Sequence, residues 1–216
     1  MKRTLVIAAL ALALPMGSLY ASGAPKVPQQ KLSVEEQAAR SFNEGIRQRD
    51  KAWKYEKELA SETNPAKVAK LEGKIEKAYD KAIRYYEKAI KGDSNLFQAH
   101  GSLGYALRKT GRYAEALVAY DRALELAPGY AEAMEYRAEA YLGLGRLDDA
   151  KRAYLTLFAG GSDRSAELLV AMRKWVDKNE GSSSVDGGDV TTFSRWVAQR
   201  EKVAGMQGAT ASGGSW

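Results

Sequence analysis

Residues 97–130, FQAHGSLGYALRKTGRYAEALVAYDRALELAPGY, run directly into 131–164, AEAMEYRAEAYLGLGRLDDAKRAYLTLFAGGSDR, and the second stretch is a version of the first. Slid by 34 positions, Ala99, Ala106, Gly111, Arg112, Ala116, Ala119 and Tyr120 fall on Ala133, Ala140, Gly145, Arg146, Ala150, Ala153 and Tyr154. The register continues upstream, where Tyr79, Ala82, Tyr86 and Ala89 fall on Tyr113, Ala116, Tyr120 and Ala123. A fixed period of this length marks an array in which one supersecondary unit recurs and each copy buries the apolar face of its neighbour.

Within 97–130 the spacing is His100-x2-Leu103-Gly104-x2-Leu107, then Ala116-x3-Tyr120, then Ala123 and Pro128. These residues resemble the tetratricopeptide repeat, a pair of helices carrying W-x2-L-G-x2-Y, A-x3-F and a closing proline. The next unit, 131–162, keeps Ala138, Tyr141, Gly145, Ala150 and Tyr154, but ends on Gly160-Gly161-Ser162 instead of proline. Packing explains the residue types. Gly104 and Ala116 let two helices approach, Leu103 and Tyr120 fill the space between them and the next repeat, and Pro128 stops the second helix. The resemblance implies an all-α fold: a short α-solenoid of about three helix-turn-helix repeats, with further helices as caps.

The first repeat, 34–92, departs from that pattern. Ser33 and Glu36 stand at capping-box spacing, so a helix is expected to start there. The first turn signal after it is Ser61-Glu62-Thr63-Asn64-Pro65, and a second helical stretch ends at Gly92. With Gly45 in the small slot, Ala82 lies 37 residues on where the pattern asks for 12. Shared between two helices, the surplus adds roughly 18 Å to each. The hairpin is expected to project, with a seam of Ile46, Arg49, Trp53 and Leu59 against Val68, Leu71, Ile75 and Ala78. Its many lysines, interleaved with Glu56, Glu58, Glu72, Glu76 and Asp80, read as a solvated helix surface; the other reading is a contact surface for an acidic partner or a membrane face.

Downstream, 163–178 places Leu168, Leu169, Met172, Trp175 and Val176 on one helical face, the expected cap of the array. A flexible linker, 179–188, leads to an amphipathic helix, 189–204, with Phe193, Trp196, Val197 and Val203 apolar; it is expected to fold back as a further cap or into the groove. The Gly-, Ser- and Ala-rich 205–216 reads as a flexible tail.

At the other end, Lys2 and Arg3 precede the apolar run Leu5–Leu14, Pro15 and the small residues Ser22-Gly23-Ala24, the layout of a secretory signal peptide over 1–24 with cleavage after Ala24, Gly23 or Ala21. About ten apolar residues cover only roughly half of a bilayer core, which disfavours a membrane span. Residues 25–33 read as an extended lead-in, since Pro25 and Pro28 restrict their neighbours. Loss of Lys2 and Arg3 takes 33 basic side chains to 31 against 27 acidic ones, a net +4 that is too slight to indicate nucleic acid.

Reactive chemistry is scarce. The 216 residues include no cysteine and one histidine, which excludes disulfides, thiolate metal sites and two-histidine centres. His100 stands in the large apolar slot of a repeat, Asp186 and Asp189 lack the further oxygens of a calcium loop, and there is no phosphate-binding Gly-x-x-x-x-Gly-Lys motif. No metal, cofactor or catalytic residue is expected, and the chain reads as a non-enzymatic interaction module.

In the family the inner groove is lined from positions 2, 5, 9 and 12 of each first helix. The resemblance therefore implies Gln98, Gly101, Tyr105 and Arg108, then Glu132, Glu135, Glu139 and Leu142, as the groove, with Gln98, Tyr105, Arg108, Glu132, Glu135 and Glu139 as the partner-binding set. Gly101, Tyr105 and Glu135 do not reproduce the Lys, Asn and Arg set with which some members hold a C-terminal carboxylate. The function expected is a periplasmic adaptor or scaffold that binds a peptide or protein in this groove. The alternative is an assembly factor acting through self-association of the long hairpin. The small cysteine-free chain with an export signal suits a bacterial periplasm.

Overall fold

A computed structural model describes residues 32–181 and 189–212, with side chains through Gly205. The expected signal peptide, 25–31 of the lead-in, 182–188 of the linker and the terminal 213–216 lie outside the described residues. Every described element is a helix: α1 Val34–Leu59, α2 Pro65–Gly92, α3 Phe97–Lys109, α4 Tyr113–Leu126, α5 Ala131–Gly143, α6 Leu147–Ala159, α7 Arg164–Lys178 and α8 Val190–Ser212.

Local chemistry sets the ends. The Ser33 hydroxyl accepts from the Glu36 amide at 3.1 Å, and the Glu36 carboxylate accepts from the Ser33 amide at 2.7 Å. That reciprocal pair satisfies two amides at the start of α1. The Asn64 side chain accepts from the amides of Ala66 and Lys67, and Pro65, which has no N–H to lose, opens α2. The turns α3–α4 and α5–α6 are built alike: Gly111 and Gly145 take φ of 76° and 68°, and the amides of Arg112 and Arg146 reach back to the carbonyls of Leu107 and Tyr141 at 2.9 Å. Only a residue without Cβ takes that backbone freely, which explains why both glycines recur one period apart.

Three tyrosines carry the stacking. Tyr86, Tyr120 and Tyr154 are fully or almost fully buried. Each lies against a small residue: a Cβ added to Gly45 would meet the Tyr86 ring at 2.5 Å, one added to Gly104 would meet Tyr120 at 2.7 Å, and Tyr154 shares a core with fully buried Ala138. Each such ring stabilises the fold by about 1.5–3 kcal/mol through apolar burial. The Gly45–Tyr86 contact shows that α1 and α2 pack as a repeat does, although they have 26 and 28 residues where α3–α6 have 13 or 14.

The expected hairpin seam is kept in part: Leu71 and Ala78 are buried and Ile46 and Ile75 pack against the core, while Trp53 leaves it. Ala38, Ser41, Gly45 and Ala52 are the buried residues of α1, with Ala38 against Gly92 and Gly45 against Tyr86 of α2. Trp53 is 41% exposed and, with Arg49 4.2 Å above its ring, turns toward α3 instead of α2. Small residues allow closer helix contact on that line than an indole would.

The C-terminal helices close the array. Leu168, Leu169, Met172 and Val176 of α7 and Val190, Phe193 and Val197 of α8 are buried with Tyr154 and Leu157 of α6. Trp175 and Trp196 flank Phe193 with ring centroids at 5.6 and 6.2 Å, and Trp196 meets Tyr154 edge-on at 5.4 Å. α8 therefore caps the last repeat on the α6 and α7 side and does not occupy the groove. It also continues to Ser212, through residues whose composition reads as tail. Asp189 is a cap: it accepts from the amide and hydroxyl of Thr192 at the start of α8.

Candidate binding groove

The concave face is lined by α1, α3, α5 and the start of α7. Tyr105, on α3, is its centre. Its hydroxyl accepts from the Trp53 indole Nε1 at 2.7 Å, and its ring meets Tyr136 of α5 edge-on at 5.1 Å and Tyr79 of α2 at 6.3 Å. Arg108, one turn along α3, lies 5.2 Å from the Tyr105 ring centre and 5.0 Å from that of Tyr136, and pairs with Glu139. A planar cation over two ring faces, anchored by a carboxylate, holds those rings in place.

A second charged group follows. Glu135 is only 3% exposed, and its carboxylate accepts from Arg164 of α7 at 2.9 Å. Arg164 also donates to Glu167 at 2.7 Å. Burial pushes the Glu135 carboxyl up to about 7; Arg164 opposes that rise, while Glu139 and Glu167 add to it. Glu132 is half-buried, 3.5 Å from the Tyr130 hydroxyl.

Between these groups lies a cavity of about 20 Å³ bounded by Arg49, Trp53, Gly101, Tyr105, Tyr130 and Tyr136. That is room for about one water. Tyr120 also borders it, with its hydroxyl buried beside the Arg108 guanidinium.

The six expected binding residues divide. Tyr105, Arg108 and Glu139 form one connected group, and Glu132 borders the same cavity. Glu135 is a buried partner of Arg164, and exposed Gln98 makes no side-chain hydrogen bond among the described residues. Leu142, expected on the groove, is instead 3% exposed in the core with Tyr154 and Met172, because α7 covers that end of α5. Gly101 faces Tyr130, whose ring an added Cβ would meet at 2.8 Å. Trp53, Tyr136 and Arg164 were not anticipated. Trp53 comes from the hairpin extension and Arg164 from the start of α7, where the period sets it opposite Tyr130, and position 136 is not one of the family's groove positions.

The His100 Nε2 donates to the Ser94 carbonyl at 3.0 Å from a nearly closed position, as a core residue would. Among the described residues no group of three His, Cys, Asp or Glu could hold a metal ion, and no helix is long and apolar enough to cross a membrane. A wider hollow of about 800 Å³ lies on the other side of α3, between α2 and α4, and includes Val118, which is 71% exposed.

Stacked pairs of helices with a ring-lined inner face define an α-solenoid of the repeat-scaffold class. Tetratricopeptide repeat family models match residues 97–130 and 119–152, so the chain contains tetratricopeptide repeats. Over 114 residues it is 30% identical to anaphase-promoting complex subunit 7 of Homo sapiens and, equally, of Mus musculus, a match that takes in 51% of this chain. The chain spans about 20% of the length of these relatives. Among solved structures, the first tetratricopeptide repeat domain of Spaghetti (RPAP3) bound to the HSP90 peptide SRMEEVD aligns with a TM-score of 0.40 at 20% identity, over 74% of this chain and 95% of that one.

Proposed function

We propose that this chain is a non-enzymatic adaptor of the bacterial cell envelope, exported to the periplasm, whose concave face holds a peptide segment of a partner protein. The observation that carries the reading is the connected set Trp53, Tyr105, Tyr136 and Arg108 on the concave face. Rings of this kind supply contact area with few rotatable bonds, and tyrosine, tryptophan and arginine dominate binding hot spots.

The groove cations Arg108 and Arg164 are already paired with Glu139 and with Glu135 and Glu167. A peptide would therefore be held by rings and hydrogen bonds, without a free carboxylate at its centre. The related subunit of a multiprotein complex favours a protein partner over a small molecule. The basic start, apolar run and small residues at 1–24 support export.

The test is a pull-down from envelope extract with the wild-type chain and with Tyr105→Ala/Arg108→Glu. The reading expects discrete partners that the double variant loses while keeping its helical spectrum. Recovery of the same proteins by both chains would contradict it.

A further inference from the structure

Helix α2 carries its charges in two adjoining rows. Lys67, Lys70, Lys74, Lys77, Lys81, Arg84, Lys88 and Lys91 follow one another at strictly alternating steps of three and four. Such a row drifts by only about 20° per heptad, so the eight cations share one side of the helix over roughly 36 Å. The buried residues Leu71, Ala78, Ala82, Tyr86 and Ala89 occupy the other side, against α1 and α3. Glu72, Glu76, Asp80 and Glu87 form their own row, and the charges of Asp80 and Glu87 act on Arg112 at the start of α4.

Among the described residues only Lys67 of the eight is in an ion pair, with Glu62 at 3.6 Å, and Lys74 sits 4.9 Å over the Tyr55 ring. Like charges three and four apart on a helix repel. Asp80 and Glu87 border the row, three and four residues from Lys77, Arg84 and Lys91, yet form no ion pair with them among the described residues.

We propose that this face of α2 docks the protein on an anionic lipid surface. Three features favour lipid over other polyanions. Seven of the eight cations are lysine, whose compact charge suits diffuse attraction to headgroups, whereas arginine forks suit fixed phosphates. A straight row on a rod meets a plane along its whole length. Lysine is depleted at protein–protein interfaces, and beside the row only Tyr55, under Lys74, and half-buried Tyr85 offer rings, too few to stack successive bases. The apolar side of α2 is used within the fold, so the helix adsorbs without inserting, and attachment depends on salt. The groove remains free on another face.

The experiment is co-sedimentation of the full chain with vesicles of phosphatidylglycerol and phosphatidylcholine, against phosphatidylcholine alone, at low and high salt. The wild type is expected to bind the anionic vesicles only, to be released by salt, and to bind about a hundredfold more weakly as Lys70→Glu/Lys77→Glu/Arg84→Glu. That variant places acids at helix-pair distance from the remaining lysines, so it retains its fold; Tyr105→Ala binds vesicles as the wild type does. Equal binding to neutral vesicles, equal binding by the charge-reversed variant, no binding at low salt, or tighter capture of duplex DNA through the same residues would each overturn the proposal.

Discussion

The indole of Trp53 donates to the Tyr105 hydroxyl at 2.7 Å, so the long hairpin and the first helix of the next repeat share one ring cluster on the concave face. Trp53→Phe keeps a ring there but removes the donor. It is expected to cost about 0.5–1.5 kcal/mol in urea unfolding, whereas Trp53→Phe in a Tyr105→Phe background costs clearly less. Additive losses would show that the bond contributes nothing.

Gly104 and Gly73 predict opposite responses to one methyl group. An alanine Cβ at 104 would meet the Tyr120 ring at 2.7 Å, while nothing lies within 4 Å of one at 73. Gly104→Ala should lower stability by about 1–3 kcal/mol through overpacking. Gly73→Ala should raise it by roughly 0.5–1 kcal/mol, since glycine is costly inside a helix. Thermal melts of the two variants check the pair.

Glu135 makes stability depend on pH. Its carboxyl stands at about 7 in the folded chain against 4.5 for an ordinary glutamate. The folded state therefore holds the proton more tightly, and this group's contribution, complete below 4.5, is lost as pH rises to about 7. Glu135→Gln removes that slope. The stability of the variant relative to wild type is expected to rise across the window and level off above it; parallel curves in denaturant titrations would contradict the assignment.

Phe193 ties α8 to the array, buried between Trp175 and Trp196. Phe193→Ala should cost about 3–5 kcal/mol and expose α8 to limited proteolysis ahead of the repeats.

The repeats were legible in the sequence because their packing rule is local and periodic: a small residue opposite a tyrosine leaves a signature every 34 residues, and the Gly111 and Gly145 turns punctuate it. Part of the groove was legible for the same reason, since Tyr105, Arg108 and Glu139 occupy positions that the repeat turns inward. Trp53 and Arg164 were not legible as groove residues. One sits on an extension without a counterpart in the other repeats; the other, at the start of a cap, falls opposite Tyr130, a different residue type, so the period does not mark it as an ion-pair partner. Heptad spacing assigned Trp53 to the hairpin seam, but alanines and glycine took that line because they let the helices come closer. The burial of Glu135 was hidden because its partner, Arg164, lies in that cap, 29 residues away.

The most direct test of the groove as the partner site is photo-crosslinking in intact envelopes, with the reactive residue placed at position 136 and, as control, at the exposed position 118. A discrete protein adduct is expected from 136, lost with Tyr105→Ala/Arg108→Glu and not given by 118. An adduct from 118 alone, or one from 136 that survives the double substitution, would contradict it.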